Sequence, residues 1–446
     1  MIFGRYLLLF HHLLSQYPNS ITVDIKHSMS EVVFSYHTSL GDKGTIKVGY
    51  PFIVHKSERE MLPSIGLGVA VYLAQLCLVQ EHITLDFPAS ASAVAAIQPL
   101  LEMLYDVRRW KDGLPLGEYP TFLYSNRTNP TSLRQKPIEK RTLLLWSGGK
   151  DSTLSLLLLR KHGYEVCPVH TTINPEVHGK EARATARLAR SIGVSYQTLK
   201  ITHPEFAEFS TRYAKNWNSF PLHNVVPFGR DLLLALLVAP LIRRERASHL
   251  SMGHDNECRN AFVAYQGKQF PRNDAESYQG AQALESYMRR FLLPRVSLLP
   301  PLARYPEFKI LRDMMVDYPD LMSQTSFCFW GRKQNCGRCA KCLRYYLAQR
   351  VLLDKDILKF EVNPLSQGAC PDLDEMLVNP IKQELLFQTA IIYCLGRLVE
   401  RNYIWPEESR LQDFRVHHYE AVRSRLDDWE LELTQLQGSQ TGINNT

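Results

Sequence analysis

No window of this 446-residue sequence approaches the roughly 18–20 continuous apolar residues of a membrane span. The apolar start, residues 2–14, carries Arg5 and two histidines and lacks a small-residue cleavage site. It is therefore expected to be folded structure and not a signal peptide. Internal repeats and low-complexity tracts are absent. A strong charge imbalance is also missing: the net charge of +7 permits an acidic ligand such as a nucleotide but does not demand nucleic acid. What is present, 45% apolar and 22% charged residues, is ordinary for a soluble globular protein. The length predicts two to three domains with ample core. Of the nine cysteines, four crowd between residues 328 and 342, which points to metal instead of disulfides. That usage predicts a reducing, cytoplasmic setting.

The rest of the chain is organised around the stretch LLLWSGGKDS, residues 143–152. An apolar run from Leu143 to Trp146 reads as a buried strand that stops at Ser147, Gly148 and Gly149. Lys150, Asp151 and Ser152 follow, and an apolar helix continues through residues 153–159. A strand, a glycine turn and a helix start aim several backbone N–H groups, and the positive end of a helix dipole, at one point. A phosphate-type anion suits that nest, with hydroxyls from Ser147 and Ser152 and a point charge from Lys150. The Walker spacing of glycines is not matched. SGGKDS instead resembles the SGGxDS signature of the PP-loop, or N-type, ATP pyrophosphatases. The resemblance implies cleavage of ATP between its α- and β-phosphates, with adenylation of an oxygen that a nucleophile then attacks.

Residues 1–115 are expected to form an α+β accessory domain. Short strands are predicted at 21–25, 32–36, 45–48 and 83–87, with helices at 63–79 and 91–110. Residues 116–141 are broken by proline and asparagine and read as a linker. After the glycine turn, strands at 165–173 and 196–201 alternate with a helix at 179–192. That spacing predicts an α/β fold with a doubly wound parallel sheet, whose ligands lie at the carboxyl ends of the strands. Arg230 and Asp231 open an apolar helix at 232–242. A strand at 248–252 is followed by Gly253, His254, Asp255, Asn256 and Glu257, polar groups well placed to touch substrate or magnesium. Further helices are expected at 286–293, 383–401 and 406–436, and the tail 438–446 is expected to be disordered. Residues 353–446 thus read as a helical extension for packing or for a partner.

Cys328, Cys336, Cys339 and Cys342 follow the pattern C-x7-C-x2-C-x2-C. Such thiolates converge on one ion and satisfy tetrahedral Zn²⁺ at about 2.3 Å each, with no position left open for catalysis. Asn335 and Gly337 supply turn chemistry, and Lys333, Arg338, Lys341 and Arg344 offset the charge of the sulfurs. An iron–sulfur cluster also takes four cysteines. The other five, Cys77, Cys167, Cys258, Cys370 and Cys394, read as plain thiols.

Residues 140–350 resemble 7-cyano-7-deazaguanine synthase (QueC), on SGGKDS, the segment Val226-Pro227-Phe228-Gly229-Arg230-Asp231, the Lys309 stretch and the four cysteines. In that family a VP-x-RN-type segment lies against the nucleotide and a lysine matching Lys309 faces its phosphates. Here Asp231 stands where Asn is usual, and one residue is inserted. The resemblance implies Lys150, Asp151, Arg230 and Lys309 as catalytic groups. It implies nucleotide binding by Ser147, Gly148, Gly149, Lys150, Asp151, Ser152, Arg230, His254 and Asp255. The four cysteines would hold Zn²⁺, and ATP with Mg²⁺ would activate a deazapurine-type carboxylate for an amine. Ammonia would give an amide and then a nitrile.

The added segments resemble, on architecture, the QueC-like proteins of bacterial anti-phage operons such as the Qat system. A protein partner from such an operon, and a homodimer, fit that picture. Two other readings stay open. One is a tRNA-modifying PP-loop enzyme of thiolase or lysidine synthetase type, against which the lack of an extended basic stripe counts. The other is a non-catalytic nucleotide-binding scaffold.

Overall fold

The computed structural model describes residues 16–126, 136–172, 175–205, 208, 212–213, 229–273, 275–328, 335–353, 355–366, 388–401 and 423. The chain opens with a meander of β1 (Ser20–His27), β2 (Glu31–Thr38) and β3 (Lys43–Gly49). Along β2 the side chains of Val32, Phe34 and Tyr36 are buried and their neighbours are not, the period of two that one covered face imposes. Next come α1 (Lys56–Arg59), α2 (Leu62–Cys77), β4 (His82–Leu85), α3 (Ala91–Lys111) and β5 (Thr121–Leu123). The Ser90 hydroxyl caps α3 by accepting from the Ala93 N–H.

Two strand–helix units follow: β6 (Ile138–Leu145) with α4 (Lys150–Lys161), and β7 (Glu165–Thr172) with α5 (Pro175–Ile192), leading to β8 (Gln197–Thr202). The apolar helix expected at 232–242 is two helices, α6 (Arg230–Leu237) and α7 (Ala239–Glu245). Pro240, which has no N–H to donate, sits in the first turn of the second. The chain then forms β9 (Ala247–Ser251), α8 (Asn256–Asn260), the hairpin β10 (Phe262–Tyr265) and β11 (Lys268–Pro271), α9 (Tyr278–Phe291) and β12 (Ser297–Leu298). It continues with α10 (Glu307–Arg312), a π-helical turn (Asp313–Asp317), α11 (Pro319–Met322), α12 (Ala340–Leu352) and α13 (Gln388–Glu400).

Among the described residues ten strands make one sheet in the order β12-β9-β6-β7-β8-β3-β2-β1-β4-β5. From β12 to β8 all neighbours are parallel, which is the α/β arrangement expected from the sequence. β8 then pairs antiparallel with β3, Val48 opposite Ile201. The strands of residues 20–49 therefore continue the sheet that carries the glycine turn. Residues 116–141 contribute β5 and the start of β6. The β10–β11 hairpin was not anticipated.

The main core packs α2, α6, α7 and α9 against the sheet. A second core gathers Met314, Met315, Cys328, Cys336, Cys342, Leu347 and Leu395, and so fastens α13 to α12. One expectation needs correction. The stretch Lys56–Cys77 is long and apolar enough, by length and composition, to cross a membrane. Of its apolar window, 89% is buried inside the protein, so it serves as a core helix. Of the expected helix at 406–436 only residue 423 is described, and the tail 438–446 and the apolar start 2–14 lie outside the described residues.

Candidate nucleotide-binding site and metal centre

β6 lies between β7 and β9 in the parallel half of the sheet, and the glycine turn leaves its carboxyl end there. The Trp146 N–H still donates to the Val169 carbonyl at 2.8 Å, and beyond it the chain leaves the sheet. Gly148 adopts φ +74°, and a Cβ there would come within 2.7 Å of Thr185 Oγ1 and 2.8 Å of the Thr185 backbone nitrogen. Both the conformation and the space demand glycine. Gly149 is the N-cap residue of α4, so the free N–H groups of the first helical turn point out of the turn. Ser147 Oγ lies 3.2 Å from Ser152 Oγ, two hydroxyls facing one another across the nest. The Ser326 N–H donates to the Gly148 carbonyl at 2.9 Å and holds the loop from the other side.

Lys150 is buried, 3% exposed, behind this nest. Its ammonium binds the Asp151 carboxylate and, at 3.1 Å, Glu307 Oε1. Arg344 of α12 binds the other oxygen of Glu307. The Glu307 N–H in turn donates to both oxygens of Glu257, at 3.1 and 3.0 Å. Burial works against the Lys150 charge, but the Asp151 carboxylate, with Tyr345 and Asp255, outweighs it and holds the ammonium protonated. Gly253 packs onto the helix start, since a Cβ would lie 3.0 Å from the Ser152 nitrogen. That contact brings His254 and Asp255 to the loop. Asp255 caps α8 by accepting from the Cys258 N–H at 2.8 Å, and burial, then the neighbouring Asp151 charge, raise its pKa.

Arg230 and Asp231 form a second group, joined at 3.2 Å, with His254 Nε2 3.2 Å from the other Asp231 oxygen. Burial opposes the Asp231 charge, yet the Arg230 guanidinium and the His254 and Glu276 hydrogen bonds hold its carboxyl well below the usual range. Asp231, His254 and Glu276 each offer one ligand atom within 4.8 Å of the others, a set able to hold a cation. Val226, Pro227 and Phe228 lie outside the described residues.

Lys309 is engaged elsewhere. Among the described residues its ammonium binds Asp313 at 3.0 and 3.2 Å and lies 5.6 Å over the Tyr305 ring. The residue of α10 that reaches the loop is Glu307, which sequence reasoning passed over, as it did the role of Arg344; Glu257, expected near substrate or magnesium, holds the Glu307 N–H. Lys341 was noted only as an offset for sulfur charge. Burial, then the Lys150 charge, lower its pKa, and Arg230 acts on it in the same direction. Lys341 thus feels both other cations, with Glu181 acting against them, a signal that only the fold reveals.

The four cysteines meet as their spacing predicted. Their sulfurs all lie within 4.8 Å of one another, and Cys336 Sγ is 3.7 Å from Cys342 Sγ. A tetrahedron with metal–sulfur bonds of about 2.3 Å has edges of about 3.8 Å, so the cage fits one metal ion. The N–H groups of Cys336 and Arg338 donate to Cys328 Sγ and Cys336 Sγ at 3.2 and 3.3 Å, which orients the sulfurs and steadies their negative charge. Gly337, at φ +71°, closes the knuckle where a Cβ would collide with the Val362 carbonyl. Cys339 caps α12, the helix that carries Lys341 and Arg344 toward the loop. Cys77 and Cys394 are buried free thiols, as expected, whereas Cys370 lies outside the described residues.

Residues 141–349, which contain the loop, the Arg230 group and all four cysteines, match the family model described as queuosine biosynthesis protein QueC. The chain carries a QueC-like PP-loop domain. It is similar to the 7-cyano-7-deazaguanine synthase of Campylobacter jejuni subsp. doylei, 24% identical over 218 residues, which cover 46% of this chain and 92% of that one. The enzyme of the same name from Caldicellulosiruptor bescii is 25% identical over 241 residues, 50% of this chain and 98% of its own. Among solved structures, a U34-tRNA thiolase NcsA from Methanococcus maripaludis with its [4Fe-4S] cluster is 13% identical, over 61% of this chain and 75% of its own, at a TM-score of 0.25. The QueC-like domain makes the chain an enzyme of the PP-loop ATP pyrophosphatase and ligase type, which uses ATP to activate a carboxylate for ligation.

Proposed function

We propose that the chain adenylates a 7-carboxy-7-deazaguanine-like acid and passes the acyl group to an amine, in bacterial anti-phage defence. The observation that carries this reading is the SGGKDS turn itself: a nest with Gly148 at positive φ, Gly149 as the N-cap of α4, and Lys150 locked behind it. An oxygen of the acid attacks the α-phosphorus, the bond to the bridging oxygen of the β-phosphate breaks, and pyrophosphate leaves. The amine then attacks the acyl carbon, loses a proton, and AMP departs. Loop N–H groups, Ser147, Ser152, Lys150 and Arg230 are assigned to the charge that grows on the phosphates. Asp151 and Asp255 would supply carboxylates at the loop for Mg²⁺, which would offset the negative charge of the pyrophosphate.

His254, oriented by Asp231, is assigned to nucleotide or substrate contact. Lys309 reaches a phosphate only by exchanging Asp313 for it. The cysteine cage is assigned to structural Zn²⁺, which would hold the start of α12 and with it Lys341 and Arg344. Ammonia as the amine gives an amide and, with a second ATP, a nitrile. The defence setting rests on the resemblance of the added segments, and there the amine would belong to an operon partner.

ATP turnover with 7-carboxy-7-deazaguanine and ammonia, following AMP and product by mass, tests the proposal. AMP with an amide or nitrile supports it. AMP only with an operon partner, together with a mass shift on that partner, means a protein amine is the acceptor. No AMP under either condition overturns it.

A further inference from the structure

Arg259 lies on α8, the helix that also carries Glu257 toward the loop, but it serves neither the loop nor the cysteine cage. It is 9% exposed, and among the described residues its guanidinium has no hydrogen bond and no carboxylate partner. Its guanidinium carbon lies 5.6 Å over the Tyr278 ring. Partial burial lowers its pKa, with the Tyr278 hydroxyl acting against that, so an incoming anion would offset a cost already present. Arg259 lines a groove of about 860 Å³ that runs along α9, and Arg289 and Arg290 line the same groove. Its single carboxylate, Glu285, is already engaged by the Leu298 N–H at 2.9 Å and by Arg289 at 3.5 Å. The groove thus has an excess of positive charge and, among the described residues, an arginine facing it with no carboxylate partner.

The geometry points to a docking site for an acidic, extended peptide segment that places a carboxylate on Arg259 and further carboxylates on Arg289 and Arg290. α9 has 14 residues, about 21 Å of helix, which matches about six residues of extended chain. Leu298, Pro294 and Pro300 give the groove an apolar wall for intervening side chains, and half-exposed Tyr278 closes one end. A nucleic-acid backbone fits less well, because its evenly spaced phosphates would have to cross Glu285 in the middle of the groove. The site goes beyond the ligase chemistry, since none of its side chains belongs to the nucleotide nest.

The test is fluorescence anisotropy of the full chain with a fluorescein-labelled hexapeptide of alternating glutamate and leucine, alongside ATP binding to the same samples. Wild type is expected to bind the peptide in a salt-dependent way. Arg259→Met is expected to weaken binding about tenfold or more, and the exposed pair Arg289→Glu with Arg290→Glu to abolish it, each with ATP affinity unchanged. The surface pair keeps the test valid should Arg259→Met fail to fold. Peptide binding that is absent in wild type, or unchanged in the variants, overturns the proposal. So does a labelled oligothymidine that binds wild type more tightly than the peptide and is lost in the same variants.

Discussion

The Lys150 ammonium sits 3.1 Å from Glu307 Oε1, so the cation of the phosphate loop is held by a carboxylate from a helix far along the chain. Glu307 is 6% exposed and also takes Arg344, which is 2% exposed. Glu307→Gln would leave two buried cations facing a neutral amide. Removing one partner of a buried pair costs about 3–5 kcal/mol. Urea unfolding of the variant should show a loss of that size, and ATP, whose phosphates bring negative charge to Lys150, should restore part of it. A loss below about 1 kcal/mol, the level of a surface pair, would mean that Glu307 does not hold the loop.

Gly148→Ala tests the nest itself. A left-handed backbone costs a residue with a Cβ about 1–2 kcal/mol, and overpacking against Thr185 adds about 1–3 kcal/mol. The turn is expected to rearrange, with AMP formation lost and stability lowered by about 2–5 kcal/mol. Calorimetry and an AMP assay on the purified variant read both effects. Full activity in the alanine variant would place the phosphates elsewhere.

These two residues also mark what the sequence could and could not disclose. SGGKDS was legible because strand, turn and helix start are consecutive, so the backbone geometry is written in adjacent residues. The cysteine cage was legible for the same reason, since most of its spacing spans single turns. Glu307 carried no such mark: its meaning comes from Lys150 and Arg344, which only the fold brings to it. The pairing of Val48 with Ile201 was hidden likewise, because a strand's sequence shows its burial pattern but not its partner. Lys341 was seen, yet its exposure to the Lys150 and Arg230 charges was not, since charges act through space and not along the chain.

Metal content follows from the cage. Purified protein should carry one zinc per chain, and an iron–sulfur cluster would declare itself by colour and by iron. Cys342→Ser should lose the ion and loosen the core formed by Met314, Met315 and Leu347. A loss of about 3 kcal/mol corresponds to a Tm drop of about 6–12 °C for a domain of about 150–250 residues. Tm with and without a chelator, and metal analysis by mass spectrometry, check it. An unchanged Tm after complete metal removal would show that the cage does not support α12.

The pH response should centre on His203. It is 4% exposed just beyond β8, and its Nε2 lies 2.6 Å from Tyr36 Oη on β2. That contact stands beside the β3–β8 seam, where the meander joins the parallel half. Burial pushes the imidazole down to about 4, against an unfolded value of about 6.5. Between those values the unfolded chain binds the proton and the folded chain does not, so stability rises with pH there. The contribution is present in full above about pH 6.5, erodes as pH falls, and is spent below about pH 4, for a total of about 3 kcal/mol. Tyr36 does not titrate in this window, because burial pushes its hydroxyl far up. Denaturant midpoints measured from neutral to acidic pH should therefore fall more steeply for wild type than for His203→Gln. Equal slopes in the two proteins would mean that His203 is already protonated in the folded state.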